Sequence, residues 1–293
     1  MKPNWLIEKG LFLDTEENLM NELKSQNIDF KTLSYVPFDD NQIDRIKNLF
    51  PENACVIFYG SLNFGRKLKK LPWIPGVYLN EKGFECTSYY PIFGSELLHS
   101  DYSMMPFGDL IRKKDYLFNQ FGKELFIRPN SGLKEFTGTV LMEHNFEDGI
   151  KVAGIYNVEP NLLVIVSEAK KLLKEWRFVI VKQKSVSGSL YRDWTIGPET
   201  LYPDTTTKDI ILLNSKSVHE LCTDDKAFEY AEKVSKLYDP DNCWTLDIAL
   251  TDDNEYKVIE IGCFSCAGMY GNDLNKVVSA VNEAAIEEYK EYY

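Results

Sequence analysis

The sequence predicts two lobes: a small α/β lobe with a parallel sheet, then an α+β lobe of antiparallel strands and hairpins. Three observations lead there. Residues 5–60 alternate strand-like and helix-like patterns in the order β-α-β-α-β. From about residue 111 the pattern changes to strands and hairpins, with a helix at the end. The length, 293 residues, is nearly twice the ~150 of an average domain. The expected division is 1–110 for the N-terminal α/β domain with its connecting segment, and 111–293 for the second domain.

Each element has its own signal. Trp5 to Phe12 predicts a strand, and Asp14 with Glu17 a capping-box-like helix start. Leu19, Met20 and Leu23 continue that helix as a stripe. Phe30 to Val36 predicts a second strand, and Ile43, Ile46, Lys47 and Phe50 a second helix. Ala54 to Tyr59 is a compact apolar run ending at Gly60, the pattern of a buried parallel strand. Residues 61–110 are rich in Gly, Pro and Tyr and give no clear element pattern; within them 72–108 is expected to connect the lobes over the surface. Strands follow at 125–128, 139–143, 151–156 and 162–166. Residues 176–182 and 185–191 predict a hairpin around Gln183-Lys184, and 244–250 with 256–261 another. Helical stripes run over 227–238 and 274–285.

Composition narrows the function. Hydrophobic residues make up 44%, enough for a sizeable core. The net charge of −12 argues against sequence-independent nucleic-acid binding, which needs excess Lys and Arg. No apolar run approaches the ~20 residues of a membrane span, and the start lacks the long apolar region of a secretory signal. The six cysteines, dispersed through a large chain, fit reduced thiols and a cytoplasmic location.

Four stretches could carry chemistry. In the last hairpin, a four-residue loop 252–255 pairs Thr251 with Tyr256 and sets Asp247 opposite Glu260. Two facing carboxylates repel unless a cation or a proton lies between them. A one-residue shift would put them on opposite faces. Two readings stay open: a Mg²⁺ site, or an edge hairpin with one solvated acid. In the second stretch, a strand ends at Arg128-Pro129 and continues through Gly132 and Lys134 to Gly138. Arg can fork onto phosphate oxygens, and Gly allows close approach. The third is Glu175-Trp176-Arg177, then Ser189-Leu190-Tyr191-Arg192. Arg177, on a half-buried strand, needs an anionic partner: a phosphate, Glu175 or another acid. The fourth runs Glu260-Ile261-Gly262-Cys263-Phe264-Ser265-Cys266-Ala267-Gly268-Met269-Tyr270. Its single Cys-x-x-Cys has no second pair at zinc-finger spacing. His99, His144 and His219 form no triad or zincin pattern.

Taken in order, these pieces resemble the ATP-grasp superfamily over about 110–285. The likeness is to the clade with Arg in place of the usual Lys on the phosphate-binding strand. Its signatures are Arg128-Pro129, Lys134-x-Phe136-x-Gly138, Glu175-Trp176-Arg177, Ser189-x-Tyr191, the acids Asp247 and Glu260, and Gly268-x-Tyr270. The first lobe is similar to the small α/β domain that precedes an ATP-grasp core.

The resemblance implies an ATP-grasp fold and roles for named residues. Arg128 and Lys134 hold ATP phosphates, Gly138 belongs to the loop over the triphosphate, and Val166, Ser167 and Glu168 line the adenine slot. Arg177 and Arg192 contact the γ-phosphate or acyl-phosphate, and Asp247 and Glu260 bind Mg²⁺. One position departs: the family's Asn two residues after the second metal acid is Gly262 here, with Ser265 or water as the expected substitute. The implied activity is ATP-dependent carboxylate–amine ligation through an acyl-phosphate, on small-molecule or peptide substrates. The alternatives are a nucleotide-binding module without catalysis and an interaction protein.

Overall fold

The computed structural model describes every residue except 1, 12, 38, 40, 197–198, 204–209 and 214–215. It divides into two compact units, residues 1–80, 173–248 and 260–293 forming the first and 81–172 with 249–259 the second.

The first unit opens with β1 (Asn4–Glu8), α1 (Leu13–Ser25), β2 (Phe30–Leu33), α2 (Gln42–Ile46), β3 (Cys55–Tyr59), α3 (Leu62–Leu68) and β4 (Ile74–Gly76). The strands form one sheet in the order β2-β1-β3-β4. All its pairings are parallel, as the sequence predicts. Phe12, the expected end of the first strand, lies outside the described residues. Both faces of this sheet are covered, which is why its strands read as unbroken apolar runs. Trp5, Ile7, Cys55, Ile57 and Tyr59 face one core and Leu6, Val56 and Phe58 the other.

The second unit contributes α4 (Cys86–Phe93), β5 (Tyr102–Pro106), α5 (Phe107–Arg112), α6 (Lys114–Phe121), β6 (Glu124–Pro129), β7 (Thr139–Met142), α7 (Phe146–Val152) and β8 (Leu163–Glu168). Its sheet runs β5-β8-β6-β7, antiparallel throughout. Helical residues Leu110, Leu117, Phe118, Phe121, Phe146 and Ile150 pack on Leu125, Ile127, Val164 and Val166. Two expectations are corrected in this part of the chain. The strand expected at 151–156 is replaced by α7 and a turn: Phe146 and Ile150, four apart, are buried together while Val152 is 89% exposed. Residues 72–108 are not a surface wrapping. Trp73, Tyr78, Phe84, Tyr89, Tyr90 and Phe93 are all buried, and the stretch divides between the units after Asn80.

The chain continues with β9 (Leu172–Val181), β10 (Lys184–Asp193), β11 (Glu199–Pro203), β12 (Ile210–Leu213), β13 (Lys216–Leu221), α8 (Asp225–Val234), β14 (Cys243–Thr251), β15 (Tyr256–Cys263) and α9 (Leu274–Tyr292). Five of these strands form a sheet in the order β13-β10-β9-β14-β15. The β9–β10 turn is Lys182-Gln183, one residue earlier than expected; both residues have positive φ, as a tight hairpin turn requires. Val179 and Val181 of β9 and Val277, Val278 and Val281 of α9 share a core with Trp5, Ile7 and Ile57. A buried polar contact crosses that core, from Trp5 Nε1 to Asn282 Oδ1 at 2.8 Å.

Asp241 gives this unit a pH dependence. Its carboxylate accepts from the Asn80 and Asn242 amides, and burial pushes its pKa from 3.8 up to about 7. The folded state holds the proton more tightly, so the stabilisation is present below pH 3.8 and is lost as pH rises through about 7. Between pH 5.5 and 8.5 the loss should reach about 2 kcal/mol in urea unfolding. Asp241→Asn should remove most of that slope, and an unchanged slope would show that another group carries it.

Candidate functional site

In the first unit the site is built on one face of the five-stranded sheet. Two-residue alternation turns Glu175 and Arg177 to this face and Trp176 and Phe178 to the other, where Phe178 meets Phe228 of α8 at 5.6 Å. Arg177 takes Asp247 as its partner. Its Nε donates to Oδ1 at 2.8 Å and its Nη2 to Oδ2 at 2.7 Å, a bidentate fork. The two side chains are 13% and 4% exposed. Burial opposes the Arg177 charge, but Asp247 outweighs it and holds the guanidinium protonated, with its pKa raised.

Glu175, the other partner considered for Arg177, is occupied elsewhere. Tyr191 Oη donates to its Oε2 at 2.8 Å and Trp194 Nε1 to its Oε1 at 2.6 Å. Burial raises its pKa against those two hydrogen bonds. Tyr191 reaches Glu175 because the pairing slips between Leu190 and Arg192, leaving Tyr191 as the extra residue of a bulge.

Residues 268–273 cross the same face. Gly271 N donates to Ser189 Oγ at 2.9 Å and Asp273 N to Ser187 Oγ at 2.8 Å. Arg177 Nη1 donates to Gly268 O at 3.3 Å, and Asn272 Nδ2 to Arg177 O at 3.3 Å. These contacts set Tyr270 among the charges. Its ring stacks on Tyr191 at 5.0 Å, lies 5.0 Å from His219, and carries the Arg177 guanidinium at 4.9 Å. Burial raises the Tyr270 pKa; Arg177 and Arg192 pull it down while Asp247 and Glu260 push it up. The structure therefore gathers Arg177, Arg192, Asp247 and Glu260 around one phenol.

The loop between β14 and β15 is residues 252–255, the four expected, and within it Asn254 N donates to Thr251 O and Thr251 N to Glu255 O, both at 3.0 Å. Asn254 takes the positive φ this turn needs. Nearer the site, a Cβ on Gly262 would lie 3.0 Å from Thr245 Oγ1, which puts those two positions side by side. Asp247 and Glu260, two residues away along each strand, then share that face. Ser265 serves the backbone: its hydroxyl accepts from Tyr78 N at 3.0 Å and its carbonyl from Gly60 N at 2.9 Å.

In the second unit, Arg128 is 8% exposed, and its Nη1 donates to Ile259 O at 3.3 Å. Gly138 packs here, where a Cβ would lie 2.9 Å from the Phe126 ring and 3.7 Å from Arg128 Cβ. Lys134 is exposed, with a φ of 58°. Val166 pairs with Ile127 and Ser167 with Phe126, so β8 lies beside the strand that carries Arg128. Ser167 Oγ lies 2.9 Å from His99 Nδ1, and Glu168 O 3.2 Å from the same nitrogen. The His99 ring stacks on Phe126 at 4.1 Å. Burial, with Arg128 adding to it, lowers the His99 pKa to about 3, so the ring is neutral at ordinary pH. Among the described residues, no group of three or more His, Cys, Asp or Glu side chains could hold a metal ion by itself. None of the described helices is long and apolar enough to cross a membrane.

Sequence reasoning missed Tyr270, Tyr191, Trp194 and His99 as members of these clusters. The first two stood in quoted motifs, Gly-x-Tyr and Ser-x-Tyr, without a role. Nothing local marks Trp194 or His99, whose partners lie 19 and 68 residues away.

Comparison with the curated proteins finds no match. Among solved structures, the chain is similar to D-alanine–D-alanine ligase from Bacillus anthracis, at 12% identity over all of both chains, with a TM-score of 0.60. It is also similar to D-cycloserine synthetase DcsG, at 12% identity over 96% of this chain and 99% of that one, with a TM-score of 0.61. N5-carboxyaminoimidazole synthetase from Staphylococcus aureus, complexed with ADP, matches at 11% identity over 96% and 77%, with a TM-score of 0.54. Identities this low speak for the fold alone. The family model for the ATP-grasp domain of R2K clade family 2 matches residues 110–280, more than half of the sequence; the chain belongs to the ATP-grasp superfamily, in that family of the R2K clade.

Proposed function

We propose that the chain is an ATP-dependent carboxylate–amine ligase that works through an acyl-phosphate. The observation that carries this reading is the Arg177–Asp247 fork beneath Tyr270, with Glu260 and Arg192 within electrostatic reach. It lies in the matched family segment and combines what phosphoryl transfer needs: guanidinium donors and hard oxygen ligands.

ATP and Mg²⁺ are the cofactors of this reading. Mg²⁺ uses one or two carboxylates and takes its other ligands from phosphate and water. The pair Asp247 and Glu260 fits that donor set, and the ion, when bound, supplies Lewis-acid neutralisation of phosphate charge. Arg177 and Arg192 bind the transferring phosphoryl oxygens. Arg128 and Lys134 bind phosphate oxygens, and Val166, Ser167 and Glu168 line the adenine slot. The substrate carboxylate oxygen attacks the γ-phosphorus and ADP leaves; an amine then attacks the acyl carbon, releasing phosphate and a proton. Positioning and charge neutralisation do the work, with no covalent nucleophile from the protein.

Gly262 favours a second reading, nucleotide binding without ligation. A side chain there would meet Thr245 Oγ1 at 3.0 Å, so an Asn ligand could enter only if Thr245 moved.

The first test is thermal unfolding with Mg²⁺ and a non-hydrolysable ATP analogue, together and singly. At ~100 times the dissociation constant, the pair should add about 2.7 kcal/mol, a rise of several degrees. No rise at millimolar ligand would count against both readings. A rise without ADP release for any pair of carboxylate and amine substrates would favour the second.

A further inference from the structure

We propose that Tyr270 is the positioning residue of Arg177, the group that keeps its guanidinium in place when Asp247 lets go. The inference rests on the nucleotide-site reading above. In the structure three Arg177 nitrogens are held in the guanidinium plane, two by Asp247 and one by Gly268 O. The contact with Tyr270 is of another kind, with the ring under the cation at 4.9 Å. If Asp247 turns to a metal ion, the two strongest in-plane bonds go. Attraction between a cation and an aromatic face depends weakly on rotation within the cation's plane. The guanidinium can therefore turn from carboxylate to phosphate over the same ring.

The structure spends backbone strain to hold that ring. Tyr270 has a φ of 49°, a left-handed conformation that is unusual for a bulky residue. The amide of the next residue, Gly271, is fixed by Ser189 Oγ at 2.9 Å, and the Tyr270 ring is backed by Tyr191 at 5.0 Å with only 19° between planes. Tyr191 itself is held by Glu175 at 2.8 Å. A chain of contacts thus runs from Glu175 through Tyr191 and Tyr270 to the face of Arg177.

The test is calorimetric titration of the full chain with Mg²⁺ and either AMP-PNP or ADP, since Arg177 is assigned to the γ-phosphate. Tyr270→Leu and Tyr270→Asn remove the ring, and Asn suits left-handed backbone, so it separates ring loss from added strain. Both should weaken AMP-PNP about 10-fold and leave ADP within about 2-fold, while Tyr270→Phe should retain both affinities. Equal losses for the two nucleotides, or no change in their ratio, would overturn the proposal. Arg177→Lys is the control for the underlying reading. If it changes the ratio and the Tyr270 variants do not, the positioning role alone fails. If it leaves the ratio unchanged, or the unsubstituted chain binds neither nucleotide, both fail.

Discussion

Asp247→Asn is expected to lower stability by about 3–5 kcal/mol and to remove magnesium-dependent nucleotide binding. The stability loss comes from Arg177, not from the lost carboxylate. Its side chain is 13% exposed, and without the Asp247 carboxylate a nearly buried cation is left with the Gly268 carbonyl and the Tyr270 ring in place of an anion. Removing one member of a buried pair is costly because the other charge stays behind. Urea unfolding should show a lower midpoint with an unchanged slope. The double substitution Arg177→Gln with Asp247→Asn should recover most of the stability, since no charge is then stranded. It should recover none of the magnesium-dependent binding. Full binding by either variant would remove Asp247 from the metal site.

Gly271→Ala should be nearly as damaging, by a steric route. A Cβ there would stand 2.5 Å from His219 C and O and 2.7 Å from Glu220 N. These are backbone atoms of β13, so no side chain can swing aside. The strand or the crossing segment must move, at a cost of about 2–3 kcal/mol. The movement would break the Gly271–Ser189 hydrogen bond and unseat Tyr270. The expected result is a loss of AMP-PNP affinity at least as large as that of Tyr270→Leu, with a lower melting temperature. Gly138→Ala is the comparison: its nearest neighbour is the Phe126 ring at 2.9 Å, a side chain that can yield.

Much of this was legible in the sequence. The parallel first sheet follows from apolar runs at 5–7 and 55–59 that need cover on both faces. The ordered motifs from Arg128 to Tyr270 pointed to the family that the match over 110–280 supports. What stayed hidden is what depends on exact geometry. The partner of Arg177 could be narrowed to an acid or a phosphate, and only the pairing of β9 beside β14 selects Asp247 over Glu175. Tyr191 reaches Glu175 through a bulge, and period-two reasoning has no place for an extra residue. The segment 61–110 resisted because Gly and Pro punctuate helices that are buried through scattered aromatics such as Tyr89 and Phe93. A strand is expected at 151–156, but the four-residue step from Phe146 to Ile150 carries a helix through Val152.

The turn that leads into the Tyr270 segment is held from far upstream. Gly60 N donates to Ser265 O, Tyr78 N to Ser265 Oγ, and Tyr59 Oη to Ala267 O at 2.7 Å. The first eighty residues thus act as a splint for a loop that follows them by nearly two hundred positions. Heredity should feel this link. A side chain at Gly60, whose Cβ would meet Glu8 at 2.5 Å and the Phe58 ring at 2.6 Å, would displace the amide that holds Ser265. Lineages should exchange these two stretches together, and a chimera that swaps only one should fold with its arginine out of true.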